Sequence, residues 1–237
     1  MIKILYCIVV HDKRIIDHFE KENKYQNFEN YVYLLVGNHN EDFSSEKIIQ
    51  CNKLPNNIEH NKNYLVYTAM YALAKNINII PEDINYVFFL EYDVTLDSTN
   101  VIKNVEETNE SVYGVSIMPI EYCISKQCPF SNGLVNYLIH KRVKEIKKQD
   151  CLSTNTVLLK KQFLIDYFND SFTLDFLDYL NNNEYSGHYL ERYLSIYCIL
   201  KNIKYIVIDC KFEHSALDSH NTQGRYENKY LTFEKTL

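Results

Sequence analysis

Apolar and polar positions come in short blocks along the chain, and the blocks switch repeatedly between a strand-like and a helix-like period. Lys3 to Val10 is an apolar, β-branched run, read as a first buried strand. A helix is expected next, with Ile15, Ile16 and Phe19 as its inward contacts. Tyr31 to Val36 reads as a second strand, stopped by Gly37. The stretch Asn38 to Asn63 is polar, with one short candidate strand at Ile48 to Cys51. Beyond it, Leu65, Val66, Ala69, Met70, Ala72 and Leu73 share one wide helical face, with Asn63 as the expected N-cap. Tyr86 to Leu90 is apolar throughout, the pattern of a central strand covered on both faces, and it breaks off at Glu91-Tyr92-Asp93.

Further strands are expected at Ser111 to Met118, Leu152 to Leu159 and Lys204 to Ile208. Helices are expected at Gly133 to Lys148, Gln162 to Phe168, Leu174 to Leu180 and Gly187 to Leu200. The tail from Cys210 to Leu237 is polar and has no clear period. Strand and helix therefore alternate, which predicts an α/β fold with a mixed, mainly parallel central sheet flanked by helices. No internal repeat and no Pro/Gly/Ser-rich linker divides the chain, so residues 1–237 are read as one domain.

Composition narrows the classes. A chain of 237 residues can bury a full core without staples. The net charge of −6 lacks the basic excess of a general nucleic-acid binder, so no nucleic-acid partner is expected. The 7 cysteines are odd in number and form no CxxC pair. Most read as small core residues, with Cys123 and Cys128 the one candidate redox or metal pair. That usage fits a reducing compartment. The first apolar run is short and no small-residue cleavage site follows, so it reads as a strand and not a signal peptide. No apolar run is long enough to span a membrane. The expectation is a soluble, cytoplasmic protein without a transmembrane segment.

The chemistry concentrates where strands end. In open α/β sheets, ligands bind outside the carboxyl ends of the strands. Glu91 and Asp93 stand there, and alternation would point them to the same side. Hard divalent cations take one or two carboxylates together with substrate phosphates, so the pair is suited to Mn²⁺ or Mg²⁺ against a diphosphate. An acidic turn that merely ends a strand is the plainer reading of the same residues. Lys62, just before a helix N-terminus, could reach a phosphate. A polar cluster, Ser153-Thr154-Asn155-Thr156, opens the next strand. His188, Glu191, Arg192 and Ser195 make a polar stripe at helical spacing, which also reads as a solvated face.

The arrangement resembles that of GT-A glycosyltransferases, in which an apolar strand ends in a DxD-type motif. Here the motif stands as Glu91-Tyr92-Asp93, with Glu91 in place of the first Asp. The resemblance implies a GT-A (Rossmann-like) fold and transfer of a sugar from a nucleoside-diphosphate sugar, UDP- or GDP-linked, to a glycan or other acceptor hydroxyl. It implies Mn²⁺ or Mg²⁺ held by Asp93, with His214 as a further ligand. Val10, His11 and Asp12, where the first strand ends, would hold base and ribose. Lys62, Glu91, Tyr92, Asn155 and Arg225 would complete the donor site. Glu191 resembles the acid that deprotonates the acceptor in inverting members. Residues 1–118 would form the nucleotide-binding half, and 119–237 the acceptor half with a C-terminal flap around Asp218 to Arg225.

Three other readings stand beside this one. A haloacid dehalogenase phosphatase would need Asp, not Glu91, as its nucleophile. A sugar nucleotidyltransferase would show a Gly-rich phosphate loop, which Val10-His11-Asp12-Lys13 lacks. A non-catalytic sugar-binding or scaffold module could use the same fold, with the basic stretch Lys141 to Lys148 as a docking surface.

Overall fold

The computed structural model describes residues 2–43, 45–64, 66–119, 137, 150–152, 155–181 and 186–214. The strands are β1 (Ile4–Val10), β2 (Tyr31–Leu35), β3 (Ile48–Gln50), β4 (Tyr86–Glu91), β5 (Val94–Leu96), β6 (Val112–Gly114), β7 (Ile117–Pro119), β8 (Asp150–Leu152), β9 (Val157–Lys160), β10 (Tyr205–Val207) and β11 (Phe212–His214). The α-helices are α1 (Lys13–Lys21), α2 (Val66–Lys75), α3 (Val101–Thr108), α4 (Lys161–Asn169), α5 (Ser171–Leu180) and α6 (Ser186–Leu200).

Seven strands form one sheet in the order β10-β6-β9-β4-β1-β2-β3. All neighbours run parallel except β9, which is antiparallel to both β4 and β6. The fold is thus the mixed, mainly parallel α/β sheet that the alternation predicts. The sheet draws strands from both the first 118 residues and the rest.

The period of two in β1 decides how the layers assemble. Ile4, Tyr6, Ile8 and Val10 face one layer, where they pack with Ile15, Ile16 and Phe19 of α1 and Val101 and Val105 of α3. Leu5, Cys7 and Val9 face the other, built from α2, α4, α5 and α6. All seven β1 side chains are buried. Each large apolar one contributes about 1.5–3 kcal/mol of transfer free energy. α2 is enclosed nearly all round because α4 and α6 cover the side turned away from the sheet. Cys7, Cys51, Cys151 and Cys198 are buried as small core residues.

Several expected elements differ in detail. The strand expected over 152–159 is two, β8 and β9, because the polar cluster interrupts it. The strand expected over 111–118 divides into β6 and β7. A 3-10 turn over Lys62–Tyr64 precedes α2, so Asn63 is not its N-cap. The aperiodic tail contains β11, which pairs with β5. Apart from Tyr137, the helix expected over 133–148 lies outside the described residues, as do Cys123, Cys128, Ser153, Thr154 and everything beyond His214. No helix among the described residues is long and apolar enough to cross a membrane.

Candidate active site

β1, β2 and β4 finish at the same edge of the sheet. Val9 stands in register with Glu91, and the Val36 amide donates to the Val10 carbonyl at 2.9 Å. A cavity of about 440 Å³ opens over these carboxyl ends. β1 supplies Val9 and Val10, followed by His11. Val36 and Gly37 follow β2. Glu91, Tyr92 and Asp93 close the β4 side, and Glu59, Lys62, Val66 and Thr68 come from the segment leading into α2. Six residues singled out from the sequence, Val10, His11, Lys62, Glu91, Tyr92 and Asp93, are therefore brought to one cavity.

The acidic turn is braced from several directions. The chain leaves the β4 ladder at Glu91, turns through Tyr92 and Asp93, and resumes as β5, whose first residue, Val94, is buried. Alternation therefore stops at Glu91, and it is the turn that sets the relation of the two acids. Lys24 donates from Nζ to the Tyr92 carbonyl at 3.1 Å. Its ammonium also lies 4.1 Å from the Phe19 ring centroid. His11 meets the Tyr92 ring edge-on, with centroids 5.2 Å apart. Asn155, itself buried, donates from Nδ2 to Glu91 Oε1 at 3.3 Å. The backbone of His214 pairs with that of Val94, the residue after Asp93.

The carboxylates of Glu91 and Asp93 beside an open cavity are the oxygen donors that Mn²⁺ or Mg²⁺ accept alongside phosphate oxygens. The β11 register puts His214 at the same turn. Among the described residues no three His, Cys, Asp or Glu side chains form a closed metal cage. A donor set of one or two carboxylates is the kind that relies on substrate phosphates to complete the coordination shell.

Other expected residues are placed elsewhere. Asp12 caps α1: its Oδ1 accepts from the Arg14 amide at 2.8 Å, and its carboxylate is paired with the Arg14 guanidinium. Arg14 holds the Asp12 carboxyl below the usual range. Asp12 lines a neighbouring cavity of about 500 Å³ together with His11, Lys13, Arg14 and His39. Glu191 does not line the main cavity. It sits on α6, where Oε2 accepts from Arg192 Nη1 at 2.9 Å and lies 3.9 Å from His188 Nδ1. α6 packs against α2 and the 3-10 turn that carries Lys62. The polar stripe on α6 is not a solvated face: Arg192 and Ser195 are buried, and Ser195 Oγ accepts from the Leu152 amide at 2.7 Å. Arg225 lies outside the described residues.

Glu59 is the cavity residue that the sequence does not reveal. Only 2% of it is exposed. Its Oε2 accepts from the Gly37 amide at 2.6 Å, and Thr68 hydrogen-bonds the same carboxyl. Oε1 is buried with no hydrogen-bond partner among the described residues. Burial raises its pKa despite the bonds from Gly37 and Thr68. A further cavity, between α1 and β2–β3, holds Glu20, whose carboxylate is already taken up by Tyr31, Tyr33 and Lys47.

No family model matches the chain, and no curated protein resembles it in sequence. Its fold does have solved counterparts. The WbbM bifunctional glycosyltransferase superposes over 89% of this chain with a TM-score of 0.53 at 13% identity. The chain shares the fold of that glycosyltransferase, the GT-A-like mixed α/β architecture expected from the sequence. This chain spans 45% of the length of that WbbM protein. Looser likenesses run to core-mannan synthase A from Aspergillus fumigatus (TM-score 0.44, 10% identity, 90% of this chain and 75% of that one) and to the galactosyltransferase LgtC (TM-score 0.41, 11% identity, 79% and 70%). At such identities the GT-A likeness establishes architecture alone.

Proposed function

We propose that the chain is a metal-dependent glycosyltransferase that moves a sugar from a nucleoside-diphosphate sugar to an acceptor hydroxyl. The observation that carries this reading is the cavity at the carboxyl ends of β1, β2 and β4, lined by the carboxylate pair Glu91 and Asp93 and by Lys62 from the segment leading into α2. Such a cleft suits an elongated ligand with a diphosphate and a hydrogen-bonding head.

Asp93 would hold a Mn²⁺ or Mg²⁺ ion, with Glu91 beside it and His214 from the paired strand. When bound, that ion neutralises charge on a diphosphate leaving group. Lys62, at the cavity wall, would add positive charge to the phosphates. Asn155 would keep the Glu91 carboxylate oriented. Val10 and His11 would lie under the nucleoside, and Arg225 would serve as a phosphate contact from the C-terminal segment. Glu191, on the helix packed behind Lys62, would take the acceptor proton, which requires it to approach the hydroxyl directly or through one water. Residues 1–118 would then mainly hold the donor, and 119–237 the acceptor.

Calorimetry with UDP- and GDP-sugars, with and without Mn²⁺, followed by measurement of donor hydrolysis, tests the reading. Metal-dependent binding with slow hydrolysis is expected in the wild type and not in Asp93→Ala, with the Asp93→Ala fold intact by circular dichroism. Binding of sugar alone, indifferent to metal and nucleotide, would make the chain a sugar-binding module instead.

A further inference from the structure

Glu59 has a feature that the donor reading leaves unused. It is a carboxylate 2% exposed, at a wall of the candidate donor cavity, with Oε1 unpartnered among the described residues. A buried acceptor left unmade is costly, and such atoms are uncommon unless a ligand or ordered water completes them. The rest of the carboxyl is already held. Gly37 holds Oε2 from the end of β2 at 2.6 Å, and Thr68 approaches from the first turn of α2. Gly37 has φ +94°, a backbone conformation that favours glycine and that a side chain at this position would strain.

Position determines which part of a nucleotide reaches Glu59. The carboxyl is anchored at the end of β2, and Asp93 follows β4, with β1 between them. Two strand spacings separate the two ends by about 10 Å. A diphosphate at Asp93 leaves the ribose over Val10 and His11, and the base over β2. Val9, Val36 and Val66, which pack on the α2 side of the sheet and line the cavity, offer apolar walls to a flat ring.

The chemistry then discriminates among bases. An ionised carboxyl only accepts hydrogen bonds. Guanine carries two adjacent donors on its Watson–Crick edge, N1–H and the N2 amino group, and so meets a carboxylate with two parallel N–H···O bonds. Uracil offers a single N–H between two carbonyl acceptors, which would face the carboxylate. Adenine and cytosine offer one amino group beside an acceptor nitrogen.

We infer that Glu59 selects a guanine nucleotide as the donor, reading the N1–H and N2 amino donors of the base. This inference rests on the nucleotide-sugar reading above. It goes further by assigning the base to a residue whose role is distinct from that of the metal-binding turn.

The test is calorimetric titration of the full chain with GDP, inosine diphosphate, UDP, CDP and ADP in the presence of Mn²⁺. Inosine diphosphate lacks only the N2 amino group, so it probes the contact without altering the protein. GDP is expected to bind about 10-fold or more tighter than each of the others, since a site built to pair N–H groups penalises ligands that lack them. In Glu59→Gln the preference of GDP over UDP should collapse towards one, with folding checked by thermal melting. UDP, CDP or ADP binding as tightly as GDP, or inosine diphosphate matching GDP, overturns the inference and leaves the nucleotide reading in place. If no diphosphate binds with Mn²⁺, both readings fail.

Discussion

Asn155 donates its side-chain amide to the carboxylate of Glu91 across 3.3 Å, joining the start of β9 to the end of β4. The two residues are far apart in sequence, and the antiparallel β4–β9 pairing is what brings them together. Asn155→Ala removes one donor from an acid of the proposed metal site. Loss of one such bond is worth about 1 kcal/mol, so nucleotide affinity measured with Mn²⁺ should fall several-fold. Affinity measured without metal should change much less.

Lys24 acts on the same turn from the other face of the sheet. Its ammonium lies over the Phe19 ring and donates to the Tyr92 carbonyl. Lys24→Met keeps the apolar packing and removes the donor. A hydrogen bond from a charged group is worth about 1.5–3 kcal/mol. For a domain of this size that corresponds to a fall of several degrees in Tm, about 2–4 °C per kcal/mol. Donor KM should rise together with the loss of stability, which differential scanning fluorimetry and initial rates would separate from a purely global effect.

Glu191 is the proposed base. Glu191→Gln should lower kcat by about 10²–10⁴-fold and leave donor binding unchanged, because general-base catalysis contributes on that scale. An unchanged kcat in steady-state assays with acceptor would remove Glu191 from the mechanism and leave it as the ion-pair partner of Arg192.

Gly114 on β6 leaves no room for a side chain. A Cβ there would lie 2.3 Å from Leu152 Cδ2, in the core beneath the sheet. Gly114→Ala should cost about 1–3 kcal/mol through overpacking, read as a lower midpoint in urea with an unchanged slope. Gly114→Ala combined with Leu152→Ala should recover part of the loss.

Asp170 supplies the pH dependence. Burial pushes its carboxyl up, but Lys201, the Phe172 amide and Tyr197 outweigh this, and its pKa lies below the usual value. A folded-state pKa below the unfolded one means the contribution is full at neutral pH. It is lost as pH falls from about 4 through the folded value. Asp170 also caps α5, a role worth about 1 kcal/mol. Asp170→Asn should therefore lower Tm at pH 7 and have less effect at pH 3.

What the sequence makes legible follows from which signals are local. β1, β2 and β4 are long, apolar and covered on both faces, so their runs and the acidic break at Glu91 are visible directly. The spacing of Ile15, Ile16 and Phe19 gives α1 for the same reason. Glu59 is hidden because it lies in a polar stretch, and its burial comes from Gly37 and Thr68 closing around it in space. The stripe on α6 misleads because a hydroxyl looks the same in sequence whether it meets water or, as with Ser195, a buried strand amide. β5 and β11, three residues each, are too short for any period to show.

The β5–β11 pair also sets an order of events at birth. Val94 and His214 are about half the chain apart, yet they are neighbours in one ladder beside the acidic turn. Chains fold as they emerge, and a contact so distant in sequence must await everything between its partners. The turn can be made early on the ribosome, but its clasp cannot. A nascent chain would carry the acids long before it could close a ladder around them, so assembly of the site is timed by synthesis of its last strand.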